Sequence, residues 1–205
     1  MVKGIIFDMG GVIADLDLQA CLNDFREKAG FDRIDEFIGS SHQQGFVSDL
    51  EAGIISEEDF YAQCIPYCRP GVTPKILDEC FGALISHIEP YKIELLKELS
   101  ARYPLYVLSN TNPITSRRFY RIFAENGVAL EGIFRKLFLS FEMKMLKPGI
   151  EIYREAVRRT GLPTGELLFV DDSESNVEGA RAAGLHSILY AQGTDLRAAM
   201  EKALL

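Results

Sequence analysis

Apolar residues fall along this chain in two rhythms. Short runs at 4–7, 104–108, 136–140, 167–170 and 187–190 have the length and the β-branched and aromatic content of buried strands. Helical spacing appears between them, in Leu95, Leu96 and Leu99, in Phe119, Ile122 and Phe123, and in Ile152, Tyr153, Ala156 and Val157. Lys147-Pro148 is placed to open the third of these helices and Gly161 to close it, and a last helix runs from Ser173 to a stop at Gly184. Strands alternating with helices predict an α/β fold with a doubly wound, mostly parallel sheet. Residues 18–88 show no strand pattern. Leu18, Leu22, Phe25 and Ala29 repeat at helical intervals before Gly30; Ser56 precedes three acidic residues; Thr73-Pro74 supplies an N-cap and a first helical proline. Ile76, Leu77, Cys80, Phe81, Leu84, Ile85 and Ile88 predict one two-sided buried helix. The expected organisation is a core domain of 1–15 and 90–205, with a helical domain, 16–89, inserted after the first strand.

Three of the strands end in chemistry. The first stops at Asp8, followed by Gly10 and Gly11; the second ends at Ser109-Asn110; the fourth ends at Asp171-Asp172. In open parallel sheets the carboxyl ends of neighbouring strands share one crevice, and a glycine pair lets the backbone turn tightly and expose its own polar groups. Three carboxylates gathered there need a counter-ion, since two unit charges ~4 Å apart interact by about 4 kcal/mol at an effective dielectric of ~20. Hard oxygen ligands favour Mg2+. Lys147 adds one positive charge, Ser109 and backbone N–H groups add donors, and Asp8 is left to attack phosphorus. Each piece also has an ordinary structural reading: Ser109 as a helix cap, Lys147 as a solvated lysine, one of Asp171 and Asp172 as a helix N-terminal acid.

Composition narrows the setting. The chain has 205 residues, 47% hydrophobic and 25% charged, enough for a sizeable core. Its net charge of −8 argues against nucleic-acid binding. No apolar run reaches the roughly 20 residues of a membrane span, and no signal peptide is visible, so a cytoplasmic location is expected, with no membrane partner. The four cysteines, Cys21, Cys64, Cys68 and Cys80, lie away from the candidate site. Cys64 and Cys68 with His42 and His87 make a zinc site conceivable, but reduced thiols serving as small buried hydrophobes fit better. His42, His87 and His186 receive no role.

In these stretches the chain resembles the haloacid dehalogenase (HAD) superfamily. Four signatures stand in order: Phe7-Asp8-Met9-Gly10-Gly11-Val12-Ile13, Leu108-Ser109-Asn110, Lys147-Pro148, and Phe169-Val170-Asp171-Asp172-Ser173 with Asn176 after it. The helical insert sits where that superfamily carries a C1 cap. The Asp15-Leu16-Asp17 linker and the stretch from Glu51 to Ser56 resemble the bacterial glucose-1-phosphatase and sugar-phosphate phosphatase group in particular. The resemblance implies a Rossmann-like core and a Mg2+-dependent phosphatase acting on a small phosphorylated metabolite. Asp8 would form an aspartyl-phosphate, Ser109 and Asn110 would hold the phosphate, and Lys147 would neutralise it. Asp8, the Gly10 carbonyl and Asp172 would bind the metal. Asp171 would ligate through water or orient the shell.

One departure stands out. Phosphatases of this superfamily mostly carry an acid/base aspartate two residues after the nucleophile, where this chain has Gly10. Asp15 or Asp17 would be substitutes, against a simpler role for both as hydrated linker residues. Without a substitute, slow turnover, phosphometabolite binding or a long-lived phosphoenzyme acting as a regulator becomes the competing reading. A haloacid dehalogenase of the same superfamily needs no metal, and the acidic pair speaks against it. A receiver domain would have its acidic pair on the first strand, and a dinucleotide-binding fold would need G-x-G-x-x-G there. Substrate specificity is expected from 43–53.

Overall fold

The computed structural model describes residues 1–39 and 43–205, so His42 lies outside the described residues. The chain begins with strand β1 (Gly4–Phe7). Helix α1 (Leu18–Asp24) follows, extended by a wider helical turn over Phe25–Ala29 that Gly30 closes in the left-handed region, and then α2 (Gly45–Glu51), α3 (Glu57–Cys64) and α4 (Pro74–Gly82). Alternation begins with α5 (Pro90–Ser100), β2 (Leu105–Ser109), α6 (Pro113–Glu125), α7 (Leu130–Ile133), β3 (Lys136–Leu139) and α8 (Ser140–Met143). It continues through α9 (Ile150–Thr160), β4 (Leu167–Asp171), α10 (Glu174–Ala182), β5 (His186–Leu189) and α11 (Leu196–Ala203). The five strands form one parallel sheet in the order β3-β2-β1-β4-β5.

That order follows from burial. Every residue of β1, β2 and β4 is buried, so these apolar runs occupy the sheet's centre, covered on both faces. One face packs Ile5, Phe7, Val107, Leu168 and Val170 with Leu96, Phe123 and Met200; the other packs Ile6, Leu108 and Phe169 with Ile152 and Tyr153. A separate apolar cluster lies within the inserted helices, where Phe81 meets Phe25 and Phe60 edge-on, with ring centroids 5.2 and 5.4 Å apart. Three of the four thiols, Cys21, Cys64 and Cys80, are buried in this cluster, and burial pushes the Cys21 thiol up to about 12.

Three expectations about elements need correcting. The helix expected to run to Ile88 stops at Gly82. Residues 84–87 instead bond the linker that leaves β1: Asp17 N–H donates to the Leu84 carbonyl, Ser86 N–H to Asp15, and Asp15 N–H to His87. Ile85 and Ile88 then pack with the sheet, not with the helices. The strand expected to reach Ser140 ends at Leu139, and Ser140 begins a helical turn. Lys147 does not open a helix; α9 starts at Ile150, after Gly149.

Asp15 and Asp17 are engaged in structure. Asp17 caps α1 through the Ala20 N–H. Asp15 accepts a 2.8 Å bond from Lys92 Nζ, whose side chain is fully buried, and stands 3.6 Å from His87. Glu89, at 3.6 Å, is the other carboxylate near Lys92. Removing one partner of a buried pair leaves an uncompensated charge. Asp15→Ala should therefore lower unfolding free energy by about 3 kcal/mol, and Lys92→Met added to it should recover most of the loss, both read from urea midpoints at unchanged slope.

Candidate active site

The sheet reverses its winding at β1. The chain crosses from β1 to β2 on one side and later returns to β4 on the other, so the carboxyl ends of β1 and β4 border a topological switch point. Asp8 leaves β1 there, and its N–H still bonds the Val170 carbonyl of β4 at 2.8 Å. The turn after it is closed by Gly11, Ile13 and Ala14 N–H bonds, with Gly11 in the left-handed region at φ +74°. Met9, Val12, Ile13 and Ala14 sink into the core, which fixes the backbone behind the Asp8 carboxylate.

Lys147 is the centre of the site. Its ammonium lies 3.1 Å from Asp8 Oδ1 and 2.6 Å from Asp171 Oδ2, with almost no exposure. Burial opposes its charge, but Asp171 and Asp8 outweigh that and hold it protonated, above its ordinary range. Asn110 positions it. The Asn110 amide donates to the Lys147 carbonyl and accepts from the Lys147 N–H, both at 2.9 Å. The first of these bonds takes the Lys147 carbonyl, which a helix starting there would use, and α9 starts later, at Ile150. Asn110 thus lies in the cleft with most of its amide committed. Asp171 is equally occupied: its second oxygen accepts from Ser173 N–H and Asn176 Nδ2, each at 2.9 Å.

The carboxylate excess fits a cation. Asp8, Asp171 and Asp172 each offer an oxygen within 4.8 Å of the others, the one group of side chains among the described residues with the spacing to hold a metal ion. Lys147 offsets one of those charges, and the donors are all hard oxygens. Asp172 rests against Gly11 so closely that a Cβ there would stand 2.0 Å from its Oδ2. Desolvation, reinforced by Asp171 and Asp172, pushes Asp8 up to about 7 although Lys147 pulls the other way. Burial and Asp171 also raise Asp172. These are carboxylates held short of positive charge.

A cavity of about 620 Å³ opens from this cluster toward the inserted helices and is lined by Asp8, Gly10, Ser109, Lys147 and Asp172 together with Gln43, Ser48 and Glu51. Thus the structure gathers Asp8, Gly10, Ser109, Asn110, Lys147 and Asp172 at one cleft, with Asp171 beneath. The hydroxyls of Thr111 and Thr115, also on the cavity, are buried with no partner among the described residues. The space a side chain at position 10 would enter is held by Leu16, whose Cδ2 would meet a Cβ at 3.0 Å. Sequence reasoning missed Glu51, Ser140 and the two threonines. A polar residue at the end of β3, matching Ser109 at the end of β2, was a usable signal for Ser140. Glu51 was marked only by its place in 43–53 and at the head of the Glu51–Ser56 stretch, with no role assigned to its carboxyl. Desolvation, with the Asp8 charge adding to it and Lys147 opposing, pushes the Glu51 carboxyl up to about 8.

Comparison with known proteins agrees with this geometry. A D-ribitol-5-phosphate phosphatase from Bacteroides thetaiotaomicron is 30% identical over 198 residues, 96% of each chain. A HAD-family enzyme from the same organism, solved as an aspartate-to-alanine variant with magnesium and inorganic phosphate, superposes with a TM-score of 0.92 at 30% identity, covering 98% of this chain and 99% of that one. A HAD-like hydrolase from Porphyromonas gingivalis gives 0.90 at 29% identity, over 100% and 98%. The model of the haloacid dehalogenase-like hydrolases matches residues 2–184. With the parallel sheet, the switch-point aspartate and the buried lysine in place, the chain belongs to the haloacid dehalogenase-like hydrolase family.

Proposed function

We propose that this protein is a Mg2+-dependent phosphatase of a small sugar or alditol phosphate, acting through a phosphorylated Asp8. The observation that carries the reading is the Asp8–Lys147–Asp171 chain of contacts beside Asp172, at one end of a polar cavity that opens toward the inserted helices. Asp8 is the nucleophile: its Oδ2 carries no hydrogen bond among the described residues, while Oδ1 is held by Met9 N–H and Lys147. Lys147 and the Ser109 hydroxyl hold the phosphoryl oxygens, and Asn110 and Asp171 position Lys147. Asp8, the Gly10 carbonyl and Asp172 would hold the metal. Bound there, Mg2+ offsets the negative charge of nucleophile and phosphate, so that attack is not repelled.

Residues 16–89 serve as a cap over a core of 1–15 and 90–205. The cap presents Gln43, Ser48 and Glu51 to the cavity, which suits a hydroxylated substrate, and the relative named for D-ribitol 5-phosphate points to that class. Three clustered carboxylates favour a cation and phosphorus over the metal-free attack on carbon of a dehalogenase. No helix among the described residues is long and apolar enough to cross a membrane.

A panel of alditol and sugar phosphates, D-ribitol 5-phosphate included, should release inorganic phosphate with Mg2+ and not with EDTA, and Asp8→Asn should release none. If no member is hydrolysed, the domain binds phosphometabolites or stores the phosphoryl group without turning it over.

Metal-free stability should carry a pH signature of Asp8. A carboxyl whose folded pKa, about 7, exceeds its ordinary 3.8 keeps a proton that the unfolded chain has lost. Its contribution to stability is therefore complete below the ordinary value and is lost as pH rises through about 7. In EDTA, the stability of Asp8→Asn relative to wild type should grow across that window and level off above it, as measured by thermal melts. Since a carboxylate ligand must be deprotonated, the Mg2+-induced rise in Tm should grow over the same window in wild type and be much reduced in the variant.

A further inference from the structure

We propose that the carboxyl of Glu51, carried into the cleft by the end of α2, is the general acid and base that position 10 lacks. This rests on the phosphatase reading above. Three observations and one mechanistic constraint support it. First, the backbone of Glu51 is seated on the core. Its carbonyl accepts a 2.7 Å bond from the fully buried Ser140 hydroxyl, whose single proton is shared with the Thr111 carbonyl at 2.9 Å. The same hydroxyl oxygen accepts the Thr111 N–H at 2.9 Å, and Thr111 lies two residues beyond Ser109. Gly53, at φ +64°, presses so near Phe141 that a Cβ would stand 2.1 Å from that carbonyl. The end of α2 is thus pinned to the segments that carry the phosphate-binding hydroxyl.

Second, Glu51 lines the cavity with Asp8, Ser109 and Lys147, and among the described residues no hydrogen bond or ion pair engages its side chain. Third, the other acids at the cleft are spoken for or open to solvent. Asp8 is the nucleophile, Asp171 is tied to Lys147, Asp172 rests on Gly11, and Glu174 is exposed at the start of α10. Asp15 and Asp17 are held elsewhere. Fourth, in phosphoryl transfer the attacking and leaving oxygens lie roughly in line. Asp8 attacks from the sheet, so the leaving oxygen departs toward the inserted helices, the side from which Glu51 enters.

The chemistry balances. An Asp8 carboxylate oxygen bonds to phosphorus, the bond from phosphorus to the ester oxygen breaks with its electron pair on that oxygen, and the Glu51 carboxylic acid protonates it, so the alcohol leaves. Water then bonds to phosphorus while the Glu51 carboxylate takes its proton. The bond between phosphorus and Asp8 breaks, which restores the Asp8 carboxylate, the Glu51 acid and free inorganic phosphate.

The test compares wild type with Glu51→Gln and Glu51→Asp on two esters: the best alditol or sugar phosphate of the panel, and p-nitrophenyl phosphate, whose leaving group needs no proton. General acid–base help is typically worth ~10²–10⁴-fold. Glu51→Gln should therefore lose about that factor in kcat on the alcohol ester. With p-nitrophenyl phosphate it should give a burst of one p-nitrophenolate per site at close to the wild-type rate. Slow turnover should follow, with the phosphoryl group trapped on Asp8, because the second step lacks its base. Glu51→Asp should recover part of both losses. Equal losses on the two esters without a burst, in protein whose melting temperature and binding of inorganic phosphate match wild type, would overturn the assignment, as would unchanged rates on both. If Glu51→Gln fails to fold, the same comparison is made with Glu51→Asp, in which a slower alcohol ester with an intact aryl burst supports the assignment and equal loss refutes it. Failure of wild type itself to release phosphate counts against the phosphatase reading instead.

Discussion

A buried ammonium held between two carboxylates is the constraint on which the rest of this structure depends. Lys147 has almost no access to solvent, so its charge is tolerable only with Asp8 and Asp171 in contact. Those partners come from two neighbouring strands, and Lys147 comes from a loop. Satisfying one cation therefore fixes the carboxyl ends of β1 and β4 against the entry to α9. Asn110, at the end of β2, completes the arrangement by gripping the lysine backbone on both sides. The fold and the chemistry share this requirement: the geometry that stabilises Lys147 also aims Asp8 outward with one oxygen free.

The same carboxylates remain short of positive charge. One lysine cannot offset Asp8, Asp171 and Asp172; burial, with the Asp171 and Asp172 charges adding to it, raises Asp8 toward neutrality. A site in this condition gains from a divalent cation and from the phosphoryl group that the cation accompanies. The turn after β1 makes room for that assembly. Gly11 lets Asp172 approach its backbone, and Gly10 leaves space that Leu16 fills. The position two residues after Asp8 thus carries packing in this chain, with Leu16 against it.

The inserted helices supply the remaining wall. Their apolar cluster is largely their own, joined by Ile114 of α6, and Arg117 of α6 pairs with Glu57 and Asp78; two further fastenings to the core bear on the site. One is the backbone pairing between the linker around 15–17 and residues 84–87. The other is the contact of Glu51 and Gly53 with Ser140 and Phe141. Between these fastenings α2 is held over the strand ends, and its last residue is delivered to the cleft.

The sequence alone determined the parallel α/β core and most of its site. Runs such as 4–7 and 167–170 are apolar throughout, and only a sheet covered on both faces makes use of that. Carboxylates and a hydroxyl placed at their ends converge where those strands are parallel neighbours, as β2, β1 and β4 are, so Asp8, Ser109, Asp171 and Asp172 were legible as candidates without coordinates, and Lys147 through its motif. Only the tertiary structure decided what these groups touch. Asp171 turns out to hold Lys147, and Asn110 to grip its backbone, through contacts between residues 24 and 37 positions apart. The end of α4 at Gly82 depends on a linker some seventy residues earlier claiming the backbone of 84–87. Glu51 reaches the cleft through a hydrogen bond to Ser140, 89 positions away. Periodicity records which face of an element is buried; it carries no record of which distant group arrives there, because that depends on how loops close and on which buried polar atoms must find partners.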